Sequence, residues 1–80
     1  MEIAINLRSK TPSYRQLADQ IRAAIASGEY APDDPIPSLR QLTGQTGLAQ
    51  ATVQHAIRIL VADGVVYTVS GRGTFVTPRA

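Results

Sequence analysis

The side chains able to do chemistry in this chain are few, and nearly all bind rather than react. It has no cysteine, which excludes disulfides, thiolate nucleophiles and thiolate metal sites. His55 is the single histidine and has no acidic or sulfur neighbour at ligand spacing. Gly71-Arg72-Gly73 lacks the lysine and following helix of a phosphate-cradling loop. Asp33-Asp34 stands between prolines and suits turn formation better than metal binding. No nucleophile–base pair can be assembled, so no catalytic residue, cofactor or metal site is expected. What remains is a set of arginines and glutamines. Of eight cations all but Lys10 are arginine, whose flat fork matches phosphate oxygens and the edge of guanine. Residues 40–80 carry Arg40, Arg58, Arg72 and Arg79 against Asp63 alone, whereas the first 39 residues are nearly balanced.

Elements that would position these groups follow from apolar periodicity. Ile3, Ile5 and Leu7 alternate with polar or small residues, as in a short strand or extended arm over 1–11. From 13 to 27 the spacing turns helical, with Tyr14, Leu17, Ala18, Ile21, Ala24 and Ile25 on one stripe, Ser13 as N-cap and Gly28 as the stop. Three prolines over 29–37 forbid a helix there, and Tyr30 and Ile36 are expected to tuck inward from an extended connection. Ser38 and Gln41 make a Ser-x-x-Gln capping box that opens a second, two-turn helix over 38–46. After the Gly47-Leu48 turn a third helix runs over 50–63, with Val53, Ala56, Ile57, Leu60 and Val61 inward. At about 100° per residue its opposite face carries Ala51, His55, Arg58 and Ala62, flanked by Thr52 and Gln54. Two β-branched runs, 65–69 and 74–77, then form a hairpin that holds Arg72 at its tip. Tyr14, Tyr30, Tyr67 and Phe75 are expected mostly in the core.

Eighty residues, 44% hydrophobic with a net charge of +2, make one globular domain and exclude disorder. No apolar run reaches the roughly 18 residues of a membrane span, and the start lacks a secretory signal, so a cytoplasmic protein off the membrane is expected. The order of helix, short helix, turn, longer helix and basic-tipped ribbon is an α+β, mainly helical, winged helix-turn-helix. That layout lets the second helix brace on a nucleic-acid backbone, the third enter the major groove, and the ribbon reach a neighbouring groove.

The runs PSYRQLADQIRAAIASGEY (12–30), IPSLRQL (36–42), ATVQHAIRILVADGVV (51–66) and GRGTFV (71–76) resemble the GntR family of bacterial transcription regulators. Ile3-Ala4-Ile5-Asn6 is similar to the arm preceding this domain in some members. The resemblance implies binding of double-stranded operator DNA for transcriptional control, usually repression. It implies contacts from Arg40 to the DNA backbone or a base edge, from Ser38 by hydroxyl or backbone N–H to a phosphate, and from Thr52. It also implies a wing glycine at Gly71 that lets the backbone approach the duplex, and a wing-tip cation at Arg72. The whole expected DNA-binding set is Ser38, Arg40, Gln50, Ala51, Thr52, Gln54, His55, Arg58, Gly71 and Arg72.

Departures from the family pattern lie at the start of the third helix. Where the family typically reads Ser-Arg-Thr-Thr-Val-Arg-Glu, this chain reads Ala49-Gln50-Ala51-Thr52-Val53-Gln54-His55. Two arginines have become glutamines, which pair best with adenine rather than guanine. Ala49 removes a capping hydroxyl worth about 1 kcal/mol unless Thr46 or a water substitutes. A twofold operator and a homodimer are expected, through the Ile3-Ile5-Leu7 arm or Ile59. Family members normally add a C-terminal effector-binding or dimerisation domain. No small-molecule effector site is expected in these residues, which suit either an excised domain or a short stand-alone regulator. An architectural or recombination-accessory DNA binder of a phage or plasmid, and a protein-interaction winged helix, are the competing functions.

Overall fold

A computed structural model of the chain describes residues 2–78. Three helices, α1 (Ser13–Ala26), α2 (Leu39–Thr46) and α3 (Gln50–Ala62), precede strands β1 (Val66–Val69) and β2 (Gly73–Val76). The strands pair antiparallel, with Val66 opposite Val76 and Tyr67 opposite Phe75. Helix α1 lies across α3, and α2 packs on α3 from another side. The core is the apolar stripes of these elements: Leu17, Ala18 and Ile21 of α1, Leu42 of α2, Val53, Ala56 and Leu60 of α3, with Ile36, Val66 and Val76. Leu17, Ile21, Leu42 and Leu60 are fully buried, so shortening any of them to alanine costs roughly 2–5 kcal/mol.

Local chemistry explains the element ends. Ser38 caps α2 reciprocally with Gln41: its Oγ accepts from the Gln41 N–H (3.1 Å) while Gln41 Oε1 accepts from the Ser38 N–H (2.8 Å). Gly47 closes α2 in the left-handed region, φ 72°, where a side chain would be strained. Ser13, expected as the cap of α1, is already helical; Pro12 is the N-cap and its carbonyl accepts from the Arg15 and Gln16 N–H groups. The fixed φ of proline suits that extended position and draws Ser13 into the first turn.

Several expectations change in three dimensions. Of the two forms expected for the arm, strand or extended arm, the described residues form no strand. Instead Gln16 and Gln20, one turn apart on α1, clasp its backbone. Gln20 pairs with both the N–H and the carbonyl of Ala4 (2.9 and 2.7 Å), and Gln16 does the same for Asn6 (2.8 and 2.9 Å). Ile3 and Ile5 are thereby turned inward and half-buried against the core, while Leu7 stays 77% exposed. Val61, expected inward, is 38% exposed, because the buried direction of α3 runs through Val53, Ala56 and Leu60, with Ile57 half-buried against the core beside them. Tyr14 and Tyr30 do pack on the core, but Tyr67 and Phe75 do not join it. Val66 and Val76 take the inward face of the ribbon, so the pleat places their neighbours on the outward face, stacked at 5.7 Å.

The proline-rich connection runs along β2 and hydrogen-bonds to it, with a single bridge between Pro35 and Phe75. Asp33 N–H donates to the Val76 carbonyl (2.8 Å), Val76 N–H to Asp34 (2.9 Å), and Ile36 N–H to Thr74 (3.0 Å). Asp33-Asp34 does serve as turn chemistry, with Asp34 Oδ2 accepting from the Ala31 N–H.

Candidate nucleic-acid interface

The starts of α2 and α3 border an open hollow of about 480 Å³ that gathers Ser38, Arg40 and Gln50, with Thr43 and Leu48 between them. A second hollow, about 360 Å³, lies between α3 and the ribbon and gathers Gln54 and Arg58 with Ile57 and Thr74. Leu39 belongs to both, so the two form one continuous face. Among the described residues no acid lines either hollow. Arg40 and Arg58 are exposed and make no ion pair among the described residues, whereas Arg22 is engaged with Asp63 at 2.9 Å. Such a face favours an anionic polymer.

The other expected residues are distributed around it. Ala51 is exposed on the first turn of α3. Thr52 is half-buried, one turn before the fully buried Ala56, and so stands at the margin of the exposed face. His55 is exposed and lies outside both hollows, its ring 4.2 Å from that of Tyr14 on α1. Arg72 is exposed at the hairpin tip, outside both hollows, in a turn closed by its N–H to the Val69 carbonyl (2.9 Å). A side chain at Gly71 would meet nothing within 4 Å; its φ of 76° is what favours glycine there.

Two capping details alter what can reach a phosphate. The Ser38 N–H is consumed by Gln41, so of the two groups expected to face a phosphate only the hydroxyl remains, free to donate while its oxygen accepts from Gln41. Ala49 is the N-cap of α3 without a side-chain bond. Thr46 does not replace it: its hydroxyl donates to the Leu42 carbonyl (2.7 Å) and accepts from the Leu48 N–H (3.1 Å), bracing the turn instead. The first amides of α3 therefore point outward at its positive dipole end, beside Gln50.

Thr43, Thr74 and Tyr14 were not among the expected site residues. Thr43 lies one turn after Arg40, a spacing that helical arithmetic would reveal. Thr74 and Tyr14 arrive from distant elements, and no local spacing signals them. Among the described residues no three His, Cys, Asp or Glu side chains gather where they could hold a metal ion. None of their helices is long and apolar enough to cross a membrane.

Residues 13–76 match the family described as bacterial regulatory proteins, gntR family. This chain belongs to the gntR family. It is 42% identical over 73 residues to the HTH-type transcriptional repressor NagR of Bacillus subtilis (strain 168), covering 91% of this chain and 30% of NagR. The GntR-family transcription factor YtrA from Sulfolobus acidocaldarius superimposes with a TM-score of 0.90 and 41% identity, over 100% of this chain and 84% of that one. AraR(DBD), solved in complex with operator ORX1, gives a TM-score of 0.87 at 32% identity, over 96% of this chain and 99% of that domain. The three helices and hairpin are thus a gntR-type winged helix, a fold of regulators rather than of enzymes.

Proposed function

We propose that this chain binds double-stranded operator DNA sequence-specifically and represses transcription. The carrying observation is the acid-free face shared by Ser38, Arg40, Gln50, Gln54 and Arg58, on a fold whose relative AraR(DBD) was solved in complex with an operator. In this reading the start of α3 enters the major groove, presenting Gln50, Ala51 and Gln54 to base edges. Arg40 and the Ser38 hydroxyl hold one phosphate row, Arg58 supports the groove wall, and Arg72 reaches a neighbouring groove from the wing. Thr52 and His55 act at the margin, with Gly71 keeping the tip turn tight.

Operators are read as twofold sites by a pair of chains in the cytoplasm. With Ile3 and Ile5 turned inward and half-buried, the surfaces offered for direct pairing are chiefly Leu7 and Ile59. Sedimentation at micromolar concentration, free and on DNA, checks the pairing, and a monomer in both states overturns it. Selection from a random duplex library, repeated at two salt concentrations, tests the function itself. One enriched, twofold motif whose affinity falls with salt is the expected result. Tight binding without any enriched sequence overturns sequence-specific reading and favours an architectural role. No salt-sensitive DNA binding at all leaves only a protein partner.

A further inference from the structure

The ribbon carries a brace that the DNA-binding reading does not use. Tyr67 on β1 lies over Phe75 on β2, with ring centroids 5.7 Å apart and planes 24° from parallel. Its hydroxyl continues across β2 and donates to Asp33 Oδ1 at 2.7 Å, on the connection that pairs with the far edge of β2. One side chain therefore spans three extended segments. Asp33 is the only described non-glycine residue with a positive φ, 66°. An L side chain is disfavoured there and glycine would be unstrained. Asp is one of the few L residues that tolerate this region, and in this conformation its carboxylate reaches the Tyr67 hydroxyl.

We propose that Asp33 and Tyr67 are positioning residues that fix the angle of the wing, and so set how much of the DNA affinity Arg72 supplies. The inference rests on the operator-binding reading above. An isolated two-stranded ribbon twists more freely than a wider sheet. The tip lies about 10 Å beyond Tyr67, at roughly 3.3 Å per strand residue. A change of about 10° at the base therefore moves the Arg72 backbone by about 2 Å, more than the roughly 0.5 Å window of a hydrogen bond tolerates. The backbone bonds of Asp33, Asp34 and Ile36 hold β2, but among the described residues β1 has no such second backbone partner. Tyr67 supplies it.

The test is a double-mutant cycle on the selected operator. Arg72→Ala is measured in the wild-type chain and in Tyr67→Phe, which removes the hydroxyl without changing charge. The expected result is a loss of about tenfold in the wild-type background and about twofold in Tyr67→Phe, a coupling that a merely folded-state role would not produce. Asp33→Gly, which keeps the left-handed backbone, should behave as Tyr67→Phe does, with an unchanged or higher melting temperature. Asp33→Asn retains an acceptor and tolerates the same φ, so it should restore the full Arg72 effect. Equal Arg72→Ala losses in all backgrounds overturn the brace while leaving operator binding intact. A wild-type chain that selects no operator overturns the underlying reading instead, and the brace with it.

Discussion

At the scale of single residues, the start of α3 concentrates what distinguishes this chain from the family pattern. Gln50 lies at the rim of the hollow beside Arg40, and Gln54 faces the ribbon beside Arg58. A glutamine amide offers both a donor and an acceptor and matches adenine, whereas arginine matches guanine. Gln50→Arg is therefore expected to move the preferred base toward G at one position of each half-site. Library selection with the variant checks this, and an unchanged motif would remove Gln50 from base reading. Ala49 makes a second residue-scale prediction. Its backbone has the extended φ and ψ of an N-cap (−63° and 149°) but no side chain to accept a bond. Ala49→Ser should stabilise the fold by about 1 kcal/mol, raising the melting temperature by roughly 4–8 °C in a domain of this size. Thermal unfolding followed by circular dichroism reads it directly.

At the scale of elements, two attachments decide where the functional groups stand. The arm is held by amide side chains that imitate a neighbouring strand, Gln20 on Ala4 and Gln16 on Asn6, with Gln16 Nε2 also donating to the Thr11 carbonyl at 2.8 Å. Removing both by Gln16→Ala with Gln20→Ala should free the arm while leaving the core helices in place. Amide hydrogen exchange at Ala4 and Asn6 is expected to accelerate, with little change at Leu17 or Leu60; equal protection in the double variant would show the arm held by Ile3 and Ile5 alone. The wing is attached through Tyr67. Its hydroxyl titrates above the ordinary 10.0, chiefly because it donates to the Asp33 carboxylate, with desolvation and the charge of Asp33 adding to the effect. A phenol whose folded pKa is raised lends stability that is complete below its unfolded value and disappears as pH climbs through the folded one. The brace should therefore persist at neutral pH and open only in alkali above pH 10. Absorbance at the phenolate band, compared between wild type and Tyr67→Phe, measures that titration.

At the scale of the whole molecule, the net charge of +2 understates the field at the interface. Asp63 is paired to Arg22, Asp33 and Asp34 are tied into the connection, and Arg40, Arg58 and Arg72 stand exposed. One phosphate contact from each of the three in the proposed complex predicts a slope of about −2.7 in log affinity against log salt, or about a 40-fold loss between 50 and 200 mM. Titration of one half-site across that range checks the count. A much steeper slope would require cations beyond these three, and a flat one would remove phosphate contact from the function. The chain spans less than a third of the length of NagR.

The local features were legible from the sequence because they depend on near neighbours. Leu17, Ile21, Val53 and Leu60 repeat at helical spacing, Ser38 and Gln41 stand three apart, and β-branched runs flank Gly71-Arg72-Gly73; such patterns determine where helices, cap and hairpin form. They also placed Ser38, Arg40 and Gln50 near helix starts and Arg58 on the exposed side of α3. The tertiary structure alone decided how those elements meet. That Ser38 spends its N–H on Gln41 follows from the capping box itself, but the pairing of His55 with Tyr14, of the arm with Gln16 and Gln20, and of Tyr67 with Asp33 joins residues 10 to 41 positions apart. Apolar spacing specifies which face of a helix or strand turns inward. It carries no information about which outward-facing side chain a different element will bring within 3 Å, because that depends on packing angles settled by the whole core.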